Sequence, residues 1–186
     1  MEAYYGYLWH AHGTFELSGA KFKNLSPALL SEINIYLHRD MVQKVPFFAT
    51  CSSAVVQAVV QRLVPEVYLE GDFVIHHNDV TAAMYFITRG ECGVLIPDPG
   101  RHNVMRKIKT LSREDYFGEL SLLDEHAVAS AYILAETFVD LKALYRQDFD
   151  VIKSNYPDLI IEMHKSAARA CHARAPTRPP NLTPLP

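Results

Sequence analysis

A series of short apolar segments separated by turn residues, between residues 66 and 145, restricts the fold of this chain more than any other feature. Three of these segments are 73–75, 84–87 and 94–96. Residues that favour turns stand between the segments, among them Gly71, Asn78 and Gly90. Asn78 is placed where a left-handed backbone is expected, which asparagine tolerates better than most residues. Many short strands at intervals of about ten residues are typical of a sandwich or barrel. We therefore predict an antiparallel, jelly-roll-like β-roll over residues 66–145.

Helical patterns precede this roll, over residues 1–64. An early apolar pattern with helical spacing consists of Tyr4, Tyr5, Leu8 and Trp9. Ser26 and Pro27 predict the start of a second helix, because serine caps free N–H groups and proline fits the first helical position. Its apolar stripe is Leu29, Leu30, Ile33 and Leu37. Pro46 ends this pattern, and a third helix is predicted to begin at Ser52 or Ser53 and to be closed by Pro65.

Helical patterns also follow the roll, over residues 146–170. Phe149, Ile152 and Tyr156 lie on one helical face, and a further helix contains Leu159, Ile160 and Met163. Residues 171–186 are rich in proline and are predicted to be disordered. The expected fold class is therefore α+β: a helical segment, an antiparallel β-roll and flanking C-terminal helices.

Composition narrows the class of protein. The net charge of −3 and the pI near 6.3 count against a nucleic-acid binder, which usually has a basic face. The three cysteines, Cys51, Cys92 and Cys171, are far apart and odd in number, so a reducing compartment is expected. The sequence contains neither a transmembrane-length apolar run nor a signal-peptide pattern at its start.

Three local motifs occur in order: Glu-Gly-Asp-Phe-Val-Ile at 70–75, Met-Tyr-Phe-Ile with Arg-Gly at 84–90, and Tyr-Phe-Gly-Glu-Leu-Ser-Leu-Leu at 116–123. Together they resemble the cyclic-nucleotide-binding domain family. Residues 37–48 are similar to the junction between linker and domain in CNG, HCN and related potassium channels. The resemblance covers about residues 4–165. It implies a helical C-linker over 1–45 and a cyclic-nucleotide-binding-type domain over 46–170.

This resemblance also implies a function and partners. In these channels four C-linkers form a ring beneath the pore, and ligand binding moves the final helix onto the roll. The expected protein is therefore a gating module on the cytoplasmic face of a membrane, a homo-tetramer through its C-linker helices, with the pore domain lying elsewhere in the full-length protein. Its expected ligand is cAMP or cGMP, and no metal or other cofactor is expected.

The predicted ligand cassette is Gly118, Glu119, Leu120 and Ser121. Glycine allows the backbone to approach a phosphate closely, and a short helix starting near Leu120 would direct N–H groups at an anion. By resemblance, Glu119 accepts a hydrogen bond from a ribose hydroxyl. The residues that match the wall of the base pocket are Val94, Leu111 and Phe117, each of which could equally be ordinary core. The cap over the base is expected from the final helix, near Ile161, His164 or Lys165.

The family usually places Arg-Thr after this cassette, and the arginine pairs with the cyclic phosphate. The preferred alignment puts Ala129 and Ser130 there, and no other register supplies an arginine. Residues 114–141 contain no lysine or arginine, but they contain Glu114, Asp115, Glu119, Asp124, Glu125, Glu136 and Asp140. Loss of a charge-assisted hydrogen bond should reduce affinity roughly 10- to 100-fold. Two outcomes stay open: weak binding assisted by Ser130, or a ligand-free homology domain as in EAG-type channels.

Other classes of protein fit the sequence less well. The nine histidines do not converge, since His10 and His12 fall on different helical faces and His76 and His77 on opposite sides of a strand. This weakens a cupin-like metalloenzyme, and no nucleophile motif or phosphate-binding glycine loop is present. A transcription factor would need a helix-turn-helix after the roll, and a kinase regulatory subunit would need tandem nucleotide domains. The chain is therefore expected not to be an enzyme.

Overall fold

The computed structural model describes residues 25–98, 100, 104–157 and 159. Its helices before the strands are α1 (Pro27–Gln43), α2 (Pro46–Ala49) and α3 (Ser53–Val60). The strands are β1 (Val64–Tyr68), β2 (Phe73–Ile75), β3 (Ala83–Arg89), β4 (Cys92–Pro97), β5 (Met105–Leu111), β6 (Tyr116–Phe117), β7 (Tyr132–Ala135) and β8 (Val139–Tyr145). A short helix α4 (Leu120–Leu123) lies between β6 and β7, and α5 (Arg146–Asn155) follows β8.

The strands form two four-stranded antiparallel sheets. Sheet A has the order β1-β8-β3-β6 and sheet B has the order β2-β7-β4-β5. Both sheets are open rather than closed into a barrel, and the antiparallel roll predicted over residues 66–145 is confirmed. Asn78 has a φ of 68°, as its turn position predicted.

One predicted boundary was wrong. Pro65 does not close a helix: α3 ends at Val60 with Gln61 as its C-cap, and Pro65 lies inside β1. Proline is tolerated there because β1 is at the edge of sheet A, where one row of N–H groups needs no partner strand.

The serine caps act as predicted. The Ser26 hydroxyl accepts from the Leu29 N–H at 3.2 Å, and the Ser52 hydroxyl accepts from the Val55 N–H at 3.4 Å. The helix predicted around Tyr4–Trp9, almost all of the second C-terminal helix and the tail 171–186 lie outside the described residues. The divisions 1–45, 46–170 and 171–186 therefore stay predictions.

Two hydrophobic clusters divide the core. The outer cluster lies between the helices and the outer face of sheet A, and it includes Phe48, Met84, Phe86, Leu144 and Phe149. The inner cluster lies between the two sheets, and it includes Ile75, Ile87, Cys92, Leu111, Phe117, Ile133 and Leu141. Strand alternation explains the division, because successive side chains of β3 point to opposite faces of the sheet. The inner cluster contains or contacts the residues predicted to line the base pocket.

Helix α1 is buried at one end and partly exposed at the other. Met41 and Val42 near its C-terminus belong to the outer cluster, whereas Leu29 is 42% and Leu37 is 38% exposed. At 100° per residue, Leu29 and Leu37 lie on the side of the helix opposite Ile35 and Val42, which contact the core. Two residues of the predicted apolar stripe, Leu29 and Leu37, therefore face away from the chain's own core, whereas Leu30 and Ile33 are half-buried.

His38 of α1 makes stability depend on pH. Its burial, and secondarily the charge of Lys142, lowers the pKa of His38 from 6.5 to about 4. Between these two pKa values the unfolded chain therefore binds more protons than the folded chain. The contribution of His38 to the free energy of unfolding is fully present above pH 6.5 and is lost as the pH falls toward 4. We expect His38 to contribute about 1–2 kcal/mol less to the free energy of unfolding at pH 5 than at pH 7.5.

Urea denaturation of the wild type and His38→Gln at both pH values measures this effect. The difference in unfolding free energy between pH 7.5 and 5 should be smaller in His38→Gln. An equal difference in the two proteins would contradict the role of His38.

Candidate functional site

The turn from β6 into α4 requires glycine for a reason internal to the chain. Gly118 has a φ of 78°, which side chains rarely permit. A Cβ built on it would lie 2.8 Å from the carbonyl oxygen of Ala83. The turn is thus pressed against the start of β3, and its shape is fixed before any ligand arrives.

Ser121 holds this turn in place. The residue is 1% exposed, and its Oγ lies 2.7 Å from the Ala83 carbonyl and 2.6 Å from the Gly118 carbonyl. The hydroxyl is therefore engaged with backbone oxygens rather than directed outward. Among the predicted cassette residues, Ser121 shapes the site, and its contact with a ligand stays a prediction.

Two N–H groups of α4 donate to carbonyls within the cassette itself. The N–H groups of Ser121 and Leu122 donate to Gly118 and Glu119 at 3.1 and 3.2 Å. Within the described part of the chain, no hydrogen bond involves the N–H of Glu119 or Leu120. Glu119 is half-buried and Leu120 is 50% exposed. These two N–H groups are thus available to an acceptor.

Ala129, which the preferred alignment predicts at the position of the family's arginine, is anchored through its backbone. Its N–H donates to the Asp79 carbonyl at 2.9 Å, and its carbonyl accepts from the Asn78 N–H at 2.8 Å. Its methyl group packs against the inner cluster, and the neighbouring Ser130 is exposed. The backbone of residue 129 is therefore held on both sides by hydrogen bonds, and its correspondence to the family's arginine stays a prediction.

The three residues predicted to line a base pocket lie together. Leu111 is 6% and Phe117 is 5% exposed, and Val94 is half-buried against the same inner cluster. Phe117 also stacks on Tyr85 with ring centroids 5.2 Å apart. Val94 is the most accessible of the three, and their contact with a ligand stays a prediction.

Arg146 is a residue of the site that the sequence interpretation missed. It is the first residue of α5, and its Nε donates to the Ser121 carbonyl at 2.6 Å. Its Nη2 donates to the carbonyls of Thr81 at 3.1 Å and Asp124 at 3.0 Å, and its own N–H donates to Ala82 at 2.7 Å. One guanidinium thus ties α5 to both ends of the cassette helix. All its acceptors are backbone carbonyls, so no side-chain motif signals the arrangement.

The charges around the cassette are mostly negative. Glu119, Asp124 and Glu125 are close in sequence, and residues 114–141 contain no lysine or arginine. Among the described residues there is no group of three side chains that could hold a metal ion. Strand β5 is rich in positive charge and carries Arg106, Lys107 and Lys109.

Comparison with known families agrees with this geometry. The model of the family described as "Cyclic nucleotide-binding domain" matches residues 65–156, which include the cassette and all eight strands except the first residue of β1. These residues belong to the cyclic nucleotide-binding domain family. The resemblance stated from the motifs at 70–75, 84–90 and 116–123 is thereby confirmed. The family comprises ligand-binding domains rather than enzymes.

Channel subunits are among the similar proteins. The cyclic nucleotide-gated channel cone photoreceptor subunit alpha of Gallus gallus is 29% identical over 160 residues, which are 83% of this chain and 21% of that protein. The voltage-gated inwardly rectifying potassium channel KCNH6 of Rattus norvegicus is 28% identical over 158 residues, 84% of this chain and 16% of that protein. The chain thus spans about a fifth of the length of these relatives.

A solved structure shares the fold. The N-terminal domain of a transcriptional regulator from Streptomyces coelicolor A3(2) superposes with a TM-score of 0.67 at 20% identity, covering 77% of this chain and 97% of that one. At this identity the likeness shows the cyclic nucleotide-binding domain fold alone. Within the described residues, no helix has the length and apolar character needed to cross a bilayer.

Proposed function

We propose that this chain is the cytoplasmic gating region of a tetrameric cation or potassium channel subunit, and that its roll binds cyclic nucleotide weakly. Similarity to two kinds of channel subunit over more than four fifths of the chain supports the channel assignment. The observation that carries the ligand assignment is the preserved cassette turn, in which Gly118 is pressed against Ala83 and the N–H groups of Glu119 and Leu120 are left over.

In this proposal the phosphate lies against the Gly118–Leu120 backbone, with Ser130 as an additional hydroxyl donor. Glu119 accepts from a ribose hydroxyl, and the base rests on the wall formed by Val94, Leu111 and Phe117. Backbone N–H groups stabilise an anion less than an arginine does, because a hydrogen bond with a charged donor contributes about 1.5–3 kcal/mol. Dissociation constants roughly 10- to 100-fold weaker than those of a cassette with arginine are expected.

Titration calorimetry with cAMP and cGMP up to millimolar concentration tests the ligand proposal. Saturable heat at a single site supports a weak sensor. Absence of binding at every concentration would overturn it and leave a domain that acts through protein contacts.

That ligand-free homology domain is the second candidate function. The observation that favours it is the absence of lysine and arginine from residues 114–141, a stretch that contains Ala129 and the carboxylates of Glu119 and Asp124. An anion that enters this region meets carboxylates with no counter-charge from the cassette loop. In this case the roll would regulate a pore through its contacts with neighbouring subunits and not through a ligand.

The tetramer proposal assigns the apolar stripe of α1 to contact with neighbouring subunits. Because Leu29 and Leu37 are on the side of α1 away from the core, Leu29→Ser with Leu37→Ser should weaken self-association at least tenfold and change the unfolding free energy by less than about 1 kcal/mol. Sedimentation velocity over a concentration series measures the association. Arg39→Ser, at an exposed position on another side of α1, is the control. An unchanged oligomer distribution in the double variant would count against the proposal.

A further inference from the structure

An extra residue in β5 changes which of its side chains face the inner cluster. In the β4–β5 ladder, Val94 lies opposite Lys109, but the next residue of β4, Leu95, lies opposite Lys107. Ile108 is therefore an inserted residue, a β-bulge, and it is 54% exposed. Without a bulge, Lys107 and Lys109 would share one face of sheet B, because strand side chains alternate. The bulge separates them.

Lys107 lies on the outer face of sheet B. Its Nζ is 2.6 Å from Glu136 Oε1, and the same Glu136 covers Gly93, where a built Cβ would be 2.6 Å from that oxygen. Gly93 and Leu95 share a face because they are two residues apart in β4. The charge of Lys107 is thus paired, on the side away from the inner cluster.

Lys109 lies on the inner face. It is opposite Val94, and it is two residues before Leu111, and both of these apolar residues contact the inner cluster. Directly opposed residues of antiparallel strands project to the same side of the sheet. Lys109 is exposed, and within the described ranges no hydrogen bond or ion pair involves it. Its aliphatic stem can lie along Val94 while its ammonium group remains at the opening of the roll.

We propose that Lys109 selects the base of the ligand, favouring a purine with an acceptor at position 6. This inference rests on the proposed binding of cyclic nucleotide with the base against Val94 and Leu111. Guanine presents two acceptors, O6 and N7, on one edge, whereas adenine presents the N6 amino donor beside N7. An ammonium group has three donors and no acceptor, so it can bond both guanine atoms but is repelled by the adenine amino group. Guanine-type cyclic nucleotides should therefore bind more tightly than cAMP.

NMR titration of the whole chain with cGMP, cIMP and cAMP tests this selection. cIMP has the O6 and N7 acceptors of cGMP but lacks its 2-amino group, so it isolates the edge that Lys109 would contact. In the wild type we expect cGMP and cIMP to bind roughly tenfold more tightly than cAMP. Lys109→Met keeps the length of the side chain and removes its donors, and the three dissociation constants should then agree within about twofold.

Lys107→Met is the matched control. It removes the same charge from the same strand, on the outer face, and it should leave the preference for guanine unchanged. If Lys109→Met weakens all three ligands equally, Lys109 acts on the phosphate or through long-range charge, and base selection is overturned. If the wild type binds all three ligands equally, the inference fails while the proposed function survives. If the folded wild type binds none of them, both fail.

Discussion

Ala129→Arg should increase cyclic nucleotide affinity by roughly 10- to 100-fold. The backbone at this position is already held by its two hydrogen bonds with Asn78 and Asp79, so a longer side chain would start from a fixed frame. An arginine there would supply the positive charge that residues 114–141 lack, and in the proposed site it would bind the phosphate together with the N–H groups of Glu119 and Leu120. Calorimetry with cAMP and cGMP measures the gain.

His126→Arg is the control for this gain, since it adds the same side chain to the same loop at a position that is 87% exposed and has no role in the proposed site. It should change affinity less than about threefold, as a screened surface charge does. An equal gain in both variants would mean that net charge alone matters. Unchanged affinity in a folded Ala129→Arg would mean that the cassette no longer places a phosphate beside residue 129.

The roll could be predicted because its turns are marked by residues whose backbone few others can adopt. Gly71, Asn78 and Gly90 have φ values of 92°, 68° and 87°. A Cβ at Gly90 would also lie 2.2 Å from the Phe138 carbonyl oxygen, so this turn packs against the loop before β8. Such constraints are local and appear in the sequence as glycine or asparagine at regular intervals. The helix starts at Ser26 and Ser52 were also predictable, because each serine caps an N–H group only three residues away in sequence.

The parts of the site that could not be predicted depend on contacts between distant residues. Whether the hydroxyl of Ser121 points outward or toward Ala83 depends on a strand nearly forty residues earlier. The bulge at Ile108 depends on the pairing of β4 with β5, and the pattern of side chains in β5 alone does not reveal it. Arg146 bonds to carbonyls, which every residue possesses, so nothing in the identities of Thr81 or Asp124 indicates the contact. The sequence therefore predicts which residues form the cassette better than it predicts how their side chains are oriented.

Arg146→Gln should lower the free energy of unfolding by about 2–3 kcal/mol, because it removes a charged donor from three carbonyls. Arg146→Lys keeps the charge but not the planar arrangement of donors, so it should recover only part of this loss. Urea denaturation gives the free energies. Arg62→Gln is the matched control: Arg62 Nη1 donates to one carbonyl, that of Ala58, within its own helical segment, and its loss should cost less than about 1 kcal/mol.

The loss at Arg146 should be concentrated in the cassette. The N–H of Asp124 donates to the Leu120 carbonyl at the end of α4. Hydrogen exchange at this amide should accelerate more than at the amide of Ile87 in β3, which donates to the Asp115 carbonyl. A uniform acceleration would mean that Arg146 supports the whole domain and does not position the cassette in particular.

The same contact decides whether a restored phosphate site can work. If Arg146 fixes the turn on which the phosphate rests, then the affinity gained by Ala129→Arg should fall at least tenfold in the double variant Ala129→Arg with Arg146→Gln. The variants Ala129→Arg, Arg146→Gln and their combination form a double-mutant cycle for cGMP binding. Additive effects would mean that the two arginines act independently. Coupling of more than about 1 kcal/mol would mean that α5 controls the ligand site through one guanidinium. A displacement of α5 would then alter ligand affinity without any change in the residues that touch the ligand.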